Sequence, residues 1–183
     1  FPVGILPSAQ YTLFYVARYN GATRRRIFQG VSTNWFSGFY DNKAPLTHHG
    51  SCQWITPYNV DQHGSDWVLG SDRSDSFRSN GVDRTISNGC QAFATLSINT
   101  GYQAGDVSDF AIHSILVYNV KLSDADVHTV EAFLTGDRSC AAGEAFSFST
   151  FGCLPCAKGL YKNSSGALPC TPCPVGSTTA CKG

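Results

Sequence analysis

Apolar and polar positions alternate through the first three quarters of the chain and stop alternating in the last quarter. The clearest run is Tyr11-Thr-Leu-Phe-Tyr-Val-Ala-Arg-Tyr19, β-branched and aromatic, with Tyr11, Leu13, Tyr15, Ala17 and Tyr19 on one face. Short strand candidates follow at residues 26–29, 35–40, 53–55, 67–70, 76–79, 82–86, 93–99 and 110–118. Asn20-Gly21 and Asn80-Gly81 read as hairpin turns. The chain opens almost on its first strong strand, which predicts that strand at a sheet edge with unpaired backbone groups. The period changes once. Ser123 is placed to cap a helix, Asp124 and Asp126 put negative charge in its first turn, and Gly136 ends it. Val127, Val130, Phe133 and Leu134 are its expected apolar face, packed across the strands.

Beyond residue 137 a different pattern takes over. Cys140-Ala-Ala-Gly143 leads to Cys153, Cys156-Ala-Lys-Gly159 leads to Cys170, and Cys173-Pro-Val-Gly176 leads to Cys181. Each unit is Cys-x-x-Gly, a polar stretch and a closing cysteine, and the units start 16 and 17 residues apart. So little apolar periodicity cannot build a core, so the cysteines must supply the stability. The repeat phase predicts the pairs Cys140–Cys153, Cys156–Cys170 and Cys173–Cys181, roughly 3 kcal/mol per loop in the chain-entropy model. Cys153-x-x-Cys156 and Cys170-x-x-Cys173 also have zinc-ribbon spacing, but that reading leaves Cys140 and Cys181 without a role. In an oxidising compartment Cys52 and Cys90 are expected to form a fourth bridge, the alternative being two buried thiols.

Many short strands with one late helix predict a mainly β, antiparallel sandwich of jelly-roll type over residues 1–137, then a disulfide-stapled stalk over 138–183. The Tyr11–Tyr19 run, then Arg26-Ile-Phe, Trp35-Phe-Ser-Gly-Phe-Tyr and the ending Phe110-Ala-Ile-His-Ser-Ile-Leu-Val-Tyr-Asn-Val-Lys-Leu-Ser-Asp-Ala-Asp-Val resemble a laminin-G-like, concanavalin A-like jelly roll. The resemblance implies one or two strands ahead of Tyr11, nearly absent here. The tail, with its phrase Cys170-Thr-Pro-Cys173-Pro174, resembles ephrin-receptor-like and tumour-necrosis-factor-receptor-like cysteine-rich repeats. Both resemblances imply an extracellular protein, secreted or at a cell surface or matrix.

Composition narrows the partners. Lys+Arg and Asp+Glu are 13 each, so nothing draws the chain to nucleic acid or anionic membranes. Charged residues make up only 14%, which favours association. No run approaches the roughly 18 apolar residues of a membrane span. The absence of methionine and of a leader predicts a processed product or a piece of something longer.

Catalysis finds little support. Glycosidases of the concanavalin A-like fold need paired carboxylates on a strand, and the chain's two glutamates, Glu131 and Glu144, stand in the helix and the tail. No required cofactor is expected. The resemblance admits one Ca2+ between loops, for which Asp61, Asp66, Asp72 and Asp75 are the candidate donors, although aspartates in turns are commonly turn-formers. His48-His49 reads as an exposed loop pair, a candidate ligand or interface contact, with metal ligation as the less common alternative for such a pair. Asn163-Ser164-Ser165 is an N-glycosylation sequon in a polar loop.

The aromatics Trp35, Phe36, Phe39, Tyr40, Trp54, Tyr58 and Trp67 divide between core and interface. Adjacent aromatics on one strand cannot all face one core, so residues 35–40 are expected to expose aromatic surface if nothing covers the second face. The resulting reading is a non-catalytic extracellular contact module. Its partners are other proteins or copies of itself, including head-to-tail assembly into a filament, with lectin-like glycan binding as the alternative.

Overall fold

The computed structural model describes residues 5–6, 10–50, 54–59, 66–87, 94–136, 139–147, 150, 152–166 and 168–174. The chain forms two compact units, Phe1–Glu131 and Ala132–Gly183. It is mainly β and antiparallel, with one helix among the described residues and two disulfides in the C-terminal region.

In the first unit β1 (Thr12–Tyr19) lies between β5 (Val68–Arg73) and β9 (Phe110–Tyr118). With β6 (Ser76–Ser79) and β7 (Val82–Asp83) they make a five-stranded sheet in the order β7-β6-β5-β1-β9. The expected edge strand is therefore the inner one. The reason is in its residues: Leu13, Tyr15, Ala17 and Tyr19 face the core, while Phe14 and Val16, on the opposite face, are also fully buried. A strand apolar on both faces needs a covering layer on each, which suits an inner strand better than an edge. Phe14 stands opposite Ser71, and Ser71 hydrogen-bonds Glu131 of the helix, so the helix covers that second face.

The helix, α1 (Asp124–Leu134), starts as its sequence predicts: the Asp126 amide donates to Ser123 Oγ, and Ser123 Oγ donates to the Asp126 carboxylate. The Arg73 guanidinium, 2.7 Å from Asp124, holds that carboxyl below its ordinary range, chiefly through the hydrogen bond. Phe133 departs from the expected apolar face and is 74% exposed. At 100° per residue it stands about 120° from Val127, while the buried stripe runs through Val127, Glu131 and Leu134.

A second, four-stranded sheet has the order β4-β3-β2-β8 and comprises β2 (Phe28–Gly30), β3 (Trp35–Ser37), β4 (His48–His49) and β8 (Leu96–Ile98). Phe28 and Trp35 turn inward and pack with Tyr11, Leu13 and Tyr15 of the first sheet, Tyr15 stacking on Phe28 at 4.3 Å. Asn80-Gly81, both with positive φ, make the β6–β7 hairpin. Asn20-Gly21 does not make one. It carries the chain from β1 in one sheet towards β2 in the other, with the Asn20 amide bonded to the Asp109 carbonyl.

The second unit holds two hairpins, β10 (Glu144–Ser147) with β11 (Gly152–Pro155), and β12 (Leu160–Tyr161) with β13 (Thr171–Pro172). Cys140–Cys153 closes the first and Cys156–Cys170 the second, with Cα separations of 5.6 and 5.8 Å. Among the described residues from 139 onward only Cys140 and Lys162 are buried. The repeat phase is visible in the backbone: the Cys156 amide donates to the Gly143 carbonyl, and the Cys173 amide to the Gly159 carbonyl. Both glycines sit at positive φ, 81° and 88°, where a side chain would be strained. Cys181, the expected partner of Cys173, lies outside the described residues, as do Cys52 and Cys90.

Candidate functional site

Three constellations concentrate polar chemistry. The first is sealed between the sheets. Alternation along β5 turns Asp72 inward, opposite Leu13. Its carboxylate gathers three donor paths. Trp35 Nε1 donates to Tyr11 Oη, which donates to Asp72 at 2.9 Å. Ser37 Oγ donates to Asp72 at 2.6 Å, which leaves Tyr15 as the donor to Ser37. His49 Nε2 lies 3.1 Å from the carboxylate and His49 Nδ1 faces the Ser74 carbonyl. Both ring nitrogens of His49 thus face oxygen acceptors, one on β5 and one just beyond it. Burial first, and then the Asp72 charge, push the Tyr11 hydroxyl well above its ordinary pKa; burial does the same at Tyr15, opposed by the hydrogen bond with Ser37.

Ser37, His49 and Asp72 are a serine, a histidine and an aspartate in contact, but in an order that activates no nucleophile. The carboxylate stands between the hydroxyl and the imidazole, whereas a nucleophilic serine needs the imidazole in the middle. All three are fully buried. The network joins the two sheets across the core.

The expected pairing of His48 and His49 in an exposed loop is overturned: they form β4, with His49 inside and His48 on the outer face. The three described aspartates of the expected four are not gathered either. Asp72 is committed to the core, Asp75 is ion-paired with Lys121, Asp66 is partly buried ahead of β5, and Asp61 lies outside the described residues. No group of three or more metal-ligating side chains forms among the described residues.

The second constellation covers the outer face of the four-stranded sheet. Cross-strand register lines up Gln29, Phe36 and His48 on that face. Phe36 is buried beneath a shell: His48 stacks on it at 5.6 Å, Tyr40 leans at 4.9 Å, and Trp54 meets it edge-on at 5.7 Å. Trp35 and Phe39 are in the core. The expected exposure of residues 35–40 is thus corrected, because each face of β3 has its own cover. Exposure shifts outward to Tyr40, His48 and Trp54, which are partly buried, and to Tyr58, 42% exposed, against the edge of Trp54 at 5.1 Å.

Cations fill this shell. Arg26 lies over Phe36 and Tyr40 at 4.6 and 5.1 Å, and Lys43 lies 3.5 Å over Tyr58. Arg26 Nε is 2.9 Å from Asp106, within ion-pair reach but angled off a hydrogen bond, and its Nη1 finds no acceptor among the described residues. Burial lowers the Arg26 pKa, with Asp106 opposing. Burial also lowers that of His48, against the hydrogen bond from its Nδ1 to the Asn34 carbonyl. Asp41, bonded to Arg25 and to the Tyr58 hydroxyl, completes a charged rim. Trp67 lies apart from this shell, beneath Arg18 and against His113 on the five-stranded sheet's side.

The third constellation is the tail. The family described as "Tyrosine-protein kinase ephrin type A/B receptor-like" matches residues 143–183, under a quarter of the chain. Comparison with curated proteins finds no match. The cysteine-rich tail is thus similar to an extracellular or cell-surface interaction module, and its disulfides are those of an oxidising compartment. No helix among the described residues is long and apolar enough to cross a membrane.

Proposed function

We propose that the chain is a non-catalytic extracellular contact module, with a laminin-G-like β unit that meets another protein chain through the outer face of its four-stranded sheet, and a tail that serves as a stapled spacer. The observation that carries the reading is the shell itself. Half-covered Tyr40, Trp54 and Tyr58 stand within a rim of Arg25, Asp41 and Lys43, the aromatic centre and charged border of a protein interface. Catalysis has no counterpart of this kind. Glu131 is engaged with Ser71 and Arg78, and the Ser37/His49/Asp72 group is buried and wrongly ordered. The head-to-tail assembly expected from an open first strand loses that support, because β1 is inside its sheet. The partner is a copy of the chain or a different protein.

Photo-crosslinking tests this. A benzophenone side chain at Tyr58, in material isolated without denaturant, should crosslink to a protein chain, while the same group at Val82, exposed on the other sheet, should not. Equal yields at the two positions, or none at Tyr58, remove the reading.

A second reading, saccharide binding by the same face, is favoured by one feature, the Nη1 of buried Arg26, which has no acceptor among the described residues and lies beside aromatic rings. Its signature is retention on immobilised oligosaccharides by a monomer, lost in Trp54→Ala.

A further inference from the structure

We propose that Asn163 carries an N-linked glycan and that the fold of the tail holds it outward. The sequon is the starting point, and the structure adds how it is presented. Asn163, Ser164 and Ser165 are exposed, and they stand between two anchored neighbours. On one side Lys162 is buried, its ammonium donating to the carbonyls of Cys140, Glu144 and Gly166. On the other side Gly166 exchanges two backbone hydrogen bonds with Cys140, its amide to the Cys140 carbonyl at 3.0 Å and its carbonyl to the Cys140 amide at 3.1 Å.

Lys162 therefore does more than fill space. In a unit with almost no apolar core, one ammonium ties three backbone segments together, and its side chain is committed inward. The next three residues have both ends fixed to the same strand of backbone around Cys140, so they bow outward. The Asn163 side chain makes no hydrogen bond among the described residues, so attaching a sugar to its amide displaces nothing. The same loop, closed by Cys156–Cys170, holds Leu168, 74% exposed, an apolar surface that a neighbouring glycan would help to solvate.

The chemistry requires a transferase and a lipid-pyrophosphate-linked oligosaccharide as donor. Asn163 Nδ2 attacks the anomeric carbon and a C–N bond forms. The C–O bond to the pyrophosphate breaks, the lipid pyrophosphate leaves with the electron pair, and the amide loses one proton to the transferase. The hydroxyl two residues on, Ser165, is the part of the sequon the enzyme reads. The added mass is bulky and polar and demands a surface site, which these residues provide.

The test uses the chain as isolated, with its disulfides intact. Cleavage after Lys162 gives a peptide that begins at Asn163. That peptide should appear as a glycopeptide, and peptide-N-glycosidase acting in heavy-oxygen water on the uncleaved chain, before the cleavage, should convert Asn163 to a labelled aspartate. The enzyme should release the glycan from the folded, unreduced protein as completely as from denatured protein. In secreting cells Ser165→Ala should lose the glycan mass shift, while Ser164→Ala keeps it. A peptide that is mainly unmodified overturns the proposal. Release only after denaturation overturns the outward presentation.

Discussion

The two units reach order by opposite routes. The first buries Trp35, Tyr11, Tyr15, Phe14, Phe28 and Phe77 completely and closes around a polar network in which three donor paths end on Asp72. Among its described residues the second buries little; its hairpins are four- and two-residue ladders with exposed or half-exposed side chains. Two disulfides, one caged ammonium and two glycine carbonyls that receive the next cysteine's amide hold it. A core tolerates small losses at many places because its energy is spread over many contacts, whereas staples concentrate the energy in a few bonds. The difference teaches where each unit is vulnerable: the first at the buried charge, the second at its sulfur bridges.

The largest effect should come from the first unit's weak point. Asp72→Ala leaves Tyr11, Ser37 and His49 without their common acceptor inside the core. Leaving buried donors unsatisfied costs about 1–3 kcal/mol for each, several kcal/mol together. Urea denaturation followed by tryptophan emission should show the unfolding free energy fall by that amount, with the midpoint moving to lower urea. A loss under about 1 kcal/mol would mean that water reaches the site and that the unit is not sealed as described.

A slightly smaller effect should appear in the other unit alone. Cys156→Ser with Cys170→Ser opens a loop of sequence separation 14, worth about 3 kcal/mol in the chain-entropy model. Amide exchange should accelerate at Leu160 and Cys173, whose hydrogen bonds belong to that loop, and stay unchanged along β1. Faster exchange in β1 would show that the units are not independently held.

How far this contrast was legible in the chain depends on the device used. The staples were readable because a covalent repeat has a fixed phase: the Cys-x-x-Gly spacing returns at 16 and 17 residues, and the bonds follow it. The helix start at Ser123 and the hairpin at Asn80-Gly81 were readable because both are set by a few adjacent residues. The place of β1 in its sheet was not, because strand order is a long-range property. Yet Phe14 and Val16, apolar between inward residues, carried the signal of a strand covered on both faces. The Asp72 network was missed because the strand candidate stopped at Gly70. Continuing its alternation by one step, from Val68 and Gly70, places Asp72 inward. His49 gave no comparable local signal. Nor did the shell over Phe36, which joins Arg26, Tyr40, His48 and Trp54 from separate stretches of chain.

The smallest effect sharpens the comparison through pH. All five histidines precede the cysteine-rich tail, so imidazole titration touches the first unit and not the hairpins. His48 is the informative one. Burial beneath the aromatic shell lowers its pKa from 6.5, and its Nδ1 hydrogen bond to Asn34 only partly opposes this. The folded chain therefore binds its proton at a lower pH than the unfolded chain does. Where the unfolded state binds more protons, stability rises with pH. The contribution is thus fully present above about pH 6.5, where the imidazole is neutral in both states. It is lost as pH falls from there towards the lower folded value. The melting temperature of the first unit should drop over that window, and His48→Phe, which keeps a ring on Phe36 and removes the titration, should drop less. Exchange protection at Cys173 should not follow pH beyond its chemical baseline. An equal drop in His48→Phe would show that His48 does not carry the pH response and would leave the outer shell electrostatically silent.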